Sequence, residues 1–281
     1  MYIKNIKLFN SNLISAICLL LFTLLPSVSV AAPESEAIEF WSPSNENSTI
    51  VVDHTAWQNL LDTYLDGKHP SGINRFNYAK VNKKDLKALG NYIKQLQKIN
   101  PHDLNRAEQM AYWINLYNAL TVELIVKNHP VKSITKLGEG FFAFGPWDDV
   151  VTNVQGQELT LNDIEHGILR PFFKDERIHY AVNCASMGCP NLAATAYTAS
   201  NTEQLLEEGA KQYVNHDRGV SFEKGELKVS SIYHWYKVDF GGNDQSLIKH
   251  LIRYAEPDLA KKLSAYQGDI DHDYDWALNQ P

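Results

Sequence analysis

The chain has 281 residues, 44% of them hydrophobic and 11% aromatic, with a formal net charge of −7. An acidic balance without a basic cluster argues against nucleic acid as a partner and against binding to an anionic membrane surface. The aromatic share is ample for a sizeable core, and the length allows one large domain or two small ones.

At the N-terminus Lys4 and Lys7 precede an apolar stretch from Leu13 to Val30, and Ser29-Val30-Ala31 ends it with the small residues that a signal peptidase reads. Residues 1–31 are therefore read as a signal peptide. The mature protein is expected to be periplasmic or secreted, with no stable membrane insertion after cleavage. Cys18 follows Ile17 and not a small residue, which does not fit a lipoprotein signal. Residues 32–49 are rich in Glu, Asn, Ser and Pro and read as a disordered leader. One globular domain is expected over 50–281, with no internal repeat.

Trp57, Leu60, Leu61 and Tyr64 fall at helical spacing behind Asp53, and Gly67 to Gly72 reads as a turn. Phe76 to Val81 is read as a short extended piece. Leu86, Leu89, Ile93, Leu96 and Ile99 mark an amphipathic helix that Pro101 stops. The strongest helical pattern runs from Asn105, as cap, to about Asn128. It is apolar on nearly every side, as a central buried helix is. Asn115 and Asn118 lie on one face of it, where a buried amide must find partners. They either fix helix packing or line a site.

Gly138 to Trp147 is a glycine- and phenylalanine-rich loop without the Gly-Lys-Ser/Thr ending of a phosphate cradle. A hairpin near Gln155-Gly156 follows. Thr160 with Asp163 then forms a capping box that opens a helix carrying Glu165, His166 and Arg170. Beyond the cysteine segment, Asn201 to Asn215 reads as a helix and Val220 to Val229 as a hairpin. A short helix ends near Trp235, and Leu247 to Tyr254 and Leu259 to Tyr266 are two more. The acids of Asp269 to Asp275 alternate as in a calcium loop, but the required glycine and terminal glutamate are missing.

Ile178 to Leu192 reads Ile-His-Tyr-Ala-Val-Asn-Cys-Ala-Ser-Met-Gly-Cys-Pro-Asn-Leu and holds both cysteines of the mature chain. The apolar run has strand character and delivers Cys184 into a small-residue loop. In a strand His179 and Cys184 would face opposite sides, so a base for Cys184 would come from elsewhere, with His166 and His234 the candidates. Alternatively the four residues between Cys184 and Cys189 allow a disulfide, which an exporting compartment favours. A zinc site from His179, Cys184 and Cys189 lacks a fourth ligand. No metal and no cofactor are expected.

Four segments carry a resemblance. Glu108 with Tyr112-Trp-Ile-Asn-Leu-Tyr-Asn-Ala119, Leu161 to Arg170, His179 to Pro190, and Tyr274-Asp-Trp-Ala-Leu-Asn279 together resemble the DUF547 family, in order and across most of the mature chain. The family has no assigned function and includes exported bacterial proteins. The resemblance implies that Cys184 matters beyond a bond to Cys189, because serine sometimes replaces the second cysteine. Ala185 stands where the family commonly has glycine, and alanine tolerates a left-handed backbone poorly.

The fold class expected is α+β, a mainly helical single domain with a small antiparallel sheet carrying the Cys184 segment. The first functional expectation is a thiol-dependent hydrolase or acyl transferase on peptide or amide bonds. Cys184 would be the nucleophile, His166 or His179 the base, and Asn115 an orienting amide. Asn118, Glu165, Asn183 and Trp276 are the pocket candidates, and a peptide or small molecule the ligand. The second expectation is a non-catalytic module in which Cys184–Cys189 is a structural clip.

Overall fold

A buried helix organises the chain. The computed structural model describes residues 34–138 and 144–281; the expected signal peptide and part of the aromatic loop lie outside them. Helix α1 (Thr55–Tyr64) leads through the two-residue strands β1 (Leu65–Asp66) and β2 (Arg75–Phe76) to α2 (Lys83–Lys98) and α3 (Arg106–Asn128). Asn105 caps α3 by accepting from the Glu108 amide, which satisfies one of the donors that a helix start leaves open. From Glu108 to Val122 every residue of α3 is buried. Its Tyr112, Trp113 and Tyr117 each remove a large apolar area from water.

Strands β3 (Thr152–Val154) and β4 (Gln157–Leu159) form an antiparallel hairpin. The capping box that follows is present: Thr160 N donates to Asp163 at 2.8 Å, and Asp163 N donates to Thr160 Oγ1 at 3.0 Å. The helix it opens is a π-helix over Asp163–Leu169, running into the short α4 (Arg170–Phe173). The chain continues through α5 (Thr202–Val214), β5 (Val220–Glu223), β6 (Glu226–Ser230), α6 (Ile232–Trp235), α7 (Asp244–Tyr254), α8 (Pro257–Ala265) and β7 (Ile270–Asp273). The fold is mainly helical α+β. Among the described residues no helix is long and apolar enough to cross a membrane.

Two hydrophobic clusters make the core. One surrounds α3 and takes in Ala181, Val182 and Ala185; the other joins α5, α7 and α8 to the β5–β6–β7 sheet and includes Tyr180. The cysteine segment thus crosses the seam between them.

Three expectations are corrected. Residues 176–180 form a 3-10 helix and the cysteines follow in a loop, not on a strand. A short apolar run cannot by itself separate a strand from other buried backbone. The three-stranded sheet is mixed, because β7 pairs with β6 in parallel; its acids are tolerated at a sheet edge. The described part of the leader is ordered. Glu36 N and Ile38 N donate to the carbonyls of His166 and Gly167 at 3.2 and 2.9 Å, and Trp41 is buried against Trp113 at 5.0 Å. A Cβ on Gly167 would come within 2.5 Å of Ile38, so the glycine makes room for this strap.

Removing the Trp41 side chain leaves a large cavity over α3. Trp41→Ala is expected to cost about 3–5 kcal/mol and to lower Tm by about 10 °C in a thermal melt. A Tm within experimental error of the wild type would show that the strap does not contribute to the core.

Candidate functional site

Asn183 sets the loop that carries the thiols. Its side-chain amide donates to Pro190 O at 2.7 Å, and its oxygen accepts from Ala185 N at 2.9 Å. Closed in this way, the loop turns through Ala185 at φ +59°, a left-handed conformation in an alanine. Such a residue costs about 1 kcal/mol or more, which the surrounding hydrogen bonds offset. The segment 275–279 runs alongside. Asn279 N donates to Ala185 O at 3.0 Å, Met187 N to Ala277 O at 2.7 Å, and Gly188 N to Asp275 O at 2.8 Å. A Cβ on Gly188 would stand 2.8 Å from Asp275 N, so only glycine lets the two backbones meet. Between Ala181 and Pro190 only Cys184 and Met187 escape full burial.

Cys184 and Cys189 are free thiols whose sulfurs stand 3.0 Å apart. Cys184 Sγ also lies 3.2 Å from Ser186 Oγ and 3.0 Å from the Tyr274 hydroxyl. Ser186 donates to Tyr274 at 2.9 Å, leaving the tyrosine proton for the sulfur. Burial works against ionising Cys184, but hydrogen bonds with Cys189, Ser186 and Tyr274 outweigh it and hold this thiol below its ordinary value. Burial and then Cys184 itself push the Cys189 thiol well above the ordinary value. The pair is therefore unequal: a partly exposed cysteine whose thiol is held below its ordinary value, and a buried one whose thiol is pushed above it.

A second polar centre is buried on the π-helix. His179 Nε2 lies 2.7 Å from Asp239, which also takes Arg170 Nε at 2.6 Å. Glu165 stands 3.5 Å from His179 Nδ1, and Arg170 meets His166 Nδ1 at 3.1 Å. Burial opposes a charged His179, yet Asp239 and Glu165 raise its pKa above the usual value. Burial likewise opposes an ionised Glu165, yet His166, His179 and Arg170 bring it down to about 2. Glu165 and Asp239 thus face Arg170 and His179 across this centre. Tyr236 stacks on His179 at 4.1 Å and, with Tyr117, lies within electrostatic reach of both Glu165 and Cys184. A cavity of about 620 Å³ opens beside Arg170 and Asp239, edged by Ser35, Ala37 and Glu39 of the strap.

The sequence-derived candidates fall into three groups. Cys184, Cys189 and Asn183 share the loop. Glu165, His166 and His179 share the buried centre, and neither histidine hydrogen-bonds to Cys184. Asn115 and Asn118 serve the backbone. Asn115 exchanges two hydrogen bonds with Tyr197, at 2.7 and 3.0 Å. Asn118 donates to Ala181 O at 2.9 Å and accepts from Asn183 N at 2.8 Å. His234 stacks on His272 at 4.1 Å, apart from the thiols. Trp276 packs between Trp147 and Trp235, and against Tyr274 at 4.5 Å, so it supports the tyrosine that serves the sulfur. Sequence reading missed Ser186, Tyr274, Tyr236 and Asp239. Tyr274 opens the fourth motif, a signal that was visible without its partner. Among the described residues no group of three or more His, Cys, Asp or Glu is arranged to hold a metal ion.

A mainly helical α+β scaffold thus presents an unequal thiol pair. Residues 101–214 match the family model described as a protein of unknown function, DUF547. The match takes in the first three motifs, while Tyr274 to Asn279 lies beyond it. No curated protein and no solved structure matches the chain.

Asn115→Ala and Asn118→Ala each strand a buried backbone donor and acceptor. Each is expected to lose about 2–4 kcal/mol, and only Asn118→Ala should also change the alkylation rate of Cys184. Equal effects on that rate would show that Asn118 has no special hold on the loop.

The buried centre sets an acid limit. Glu165, depressed from 4.5 to about 2, contributes stability that is present above its unfolded pKa and lost as pH falls through the folded value. His179, raised, contributes stability lost as pH rises through its folded pKa. Melts between pH 6 and pH 2 should show a decline below pH 4.5 of which Glu165 supplies about 2–3 kcal/mol, and Glu165→Gln should make it shallower, the remainder coming from carboxylates such as Asp239 and Glu176, also brought down to about 2. An unchanged slope in that variant would contradict the assignment.

Proposed function

We propose that the protein is an exported dithiol enzyme that exchanges its cysteine pair with a disulfide in a peptide or small molecule. The observation that carries this is the 3.0 Å pairing of a partly exposed Cys184, whose thiol is held below its ordinary value, with a buried Cys189, whose thiol is pushed above it. Attack needs a thiolate, and the hydrogen bonds at Cys184 favour one without a neighbouring base. Acyl transfer would ask for a base at the sulfur, whereas His166 and His179 are engaged with Arg170 and Asp239.

In the reaction, Cys184 thiolate attacks one sulfur of a disulfide R–S–S–R′. A Cys184–S–R bond forms, and R′–S⁻ leaves and takes a proton from water. Cys189 gives its proton to solvent and attacks Cys184 Sγ, and R–S⁻ leaves and is protonated in turn. The substrate is reduced by two electrons to two thiols while the protein dithiol becomes a disulfide. A dithiol donor restores the pair by the reverse sequence.

The competing reading, a structural clip, draws on the same short sulfur separation. One experiment divides them. Cys189→Ser, treated with 2-hydroxyethyl disulfide, should hold a persistent mixed disulfide on Cys184 by intact mass, while the wild type passes on to the internal disulfide and Cys184→Ser forms no adduct. If both serine variants unfold to the same degree and no adduct forms, the bond is a clip and the enzyme reading fails.

A further inference from the structure

Two arginines flank the thiol loop without a counter-charge. Arg218 Nη1 donates to Met187 O at 3.1 Å and its Nη2 to Asn191 Oδ1 at 2.7 Å. Arg75 reaches the same residue from the other direction, with Nη1 on Met187 Sδ and Nη2 3.4 Å from Ser71 Oγ. All these partners are neutral. Arg170, Arg177 and Arg253, by contrast, have carboxylates at 2.6, 2.7 and 3.8 Å. Among the described residues neither Arg75 nor Arg218 makes an ion pair.

This arrangement is costly unless something completes it. Both guanidiniums are partly buried, and the Nε of each is enclosed without a hydrogen-bond partner. A charge taken out of water requires pairing, and two of one sign around a single loop residue repel each other. Burial pushes the Arg218 guanidinium below its ordinary value; Tyr213, Cys189 and Tyr274 counter this, while Arg75 adds to it. The sequence as a whole carries an excess of acids, so a carboxylate could readily have been placed here. Instead Met187, which both arginines touch, is one of the two residues of the loop open to solvent, and Cys184 is the other.

We propose that Arg75 and Arg218 form a subsite for the carboxylate or phosphate group of the substrate, seating an acidic thiol or disulfide beside Cys184. The planar guanidinium is matched to such anions, which it can bind with two parallel hydrogen bonds. The assignment rests on the thiol chemistry proposed above and adds its substrate class: anionic disulfides are preferred over neutral ones of the same size.

Iodoacetate and iodoacetamide test it, because they alkylate the same sulfur and differ in charge. On the reduced mature protein, the ratio of their rates at Cys184 should exceed that for 2-mercaptoethanol by about tenfold, as expected for local charge focusing. Arg75→Gln and Arg218→Gln should each bring the ratio towards the free-thiol value, and Arg218→Lys should keep part of it. At constant ionic strength, phosphate or acetate should protect Cys184 from iodoacetate more than chloride does. Protection by phosphate alone identifies a phosphate-bearing substrate, and by acetate alone a carboxylate-bearing one.

A wild-type ratio equal to that of the free thiol overturns the proposal. So does an equal fall in both rates in the glutamine variants, which would mean that the arginines act on the sulfur and not on the reagent. If Cys184 reacts with neither reagent, the nucleophile assignment is what fails. The anion site is then judged by calorimetric titration of phosphate into wild type and Arg218→Gln, where identical isotherms overturn it.

Discussion

Everything at the thiol loop depends on a relay of buried amides that begins on α3. Asn118 cannot leave its amide unpaired inside the core, so it grips the backbone at Ala181 and Asn183. Asn183, held by its own amide, closes the next stretch onto Pro190. Asn279 then joins the far segment to Ala185 and takes the Tyr78 hydroxyl at 2.7 Å. Each step turns a desolvation cost into a positional constraint. A loop with little apolar side chain of its own is thereby as firmly placed as a strand.

Chemistry and scaffold are divided between two centres. The Glu165, His166, Arg170, His179 and Asp239 centre is largely buried, and its groups are linked to one another by short contacts. It resembles the ionic networks that specify a fold more than a site that turns over substrate, although the π-helix under it is of a kind often found at functional places. The thiol centre is the reverse. It holds no formal charge in its resting dithiol form, it is partly open, and the surrounding hydroxyls favour the charge that appears on ionisation. Tyr117 and Tyr236 lie between the two in electrostatic terms, sensing Glu165 and Cys184 together.

Much of the scaffold was legible because its signals are local. Asn105 before a long apolar run, and Thr160 three residues before Asp163, are cap chemistry that tertiary structure did not override. The 178–184 run was misread because its apolar residues serve the seam between two clusters, and burial alone gives no period. The leader was misread for the opposite reason. Its composition is polar, but Ile38 and Trp41 dock singly, and single anchors do not register in composition. At the site, Cys184 and Cys189 stood out by residue type, and Asn115 and Asn118 by being polar within an apolar helix. Ser186, Tyr274, Arg75 and Arg218 acquire their roles only from contacts across many residues of sequence, which no local pattern encodes.

The separation between Cys184 and Tyr274 is 90 residues. A ribosome therefore releases the cysteine well before the tyrosine, and the tyrosine reaches it only once β7 has joined β6 across three intervening helices. Until then the sulfur lacks one of the hydrogen-bond partners that lower its pKa. The hydrogen-bonded surroundings of Cys184 are thus complete only when the C-terminal strand is in place.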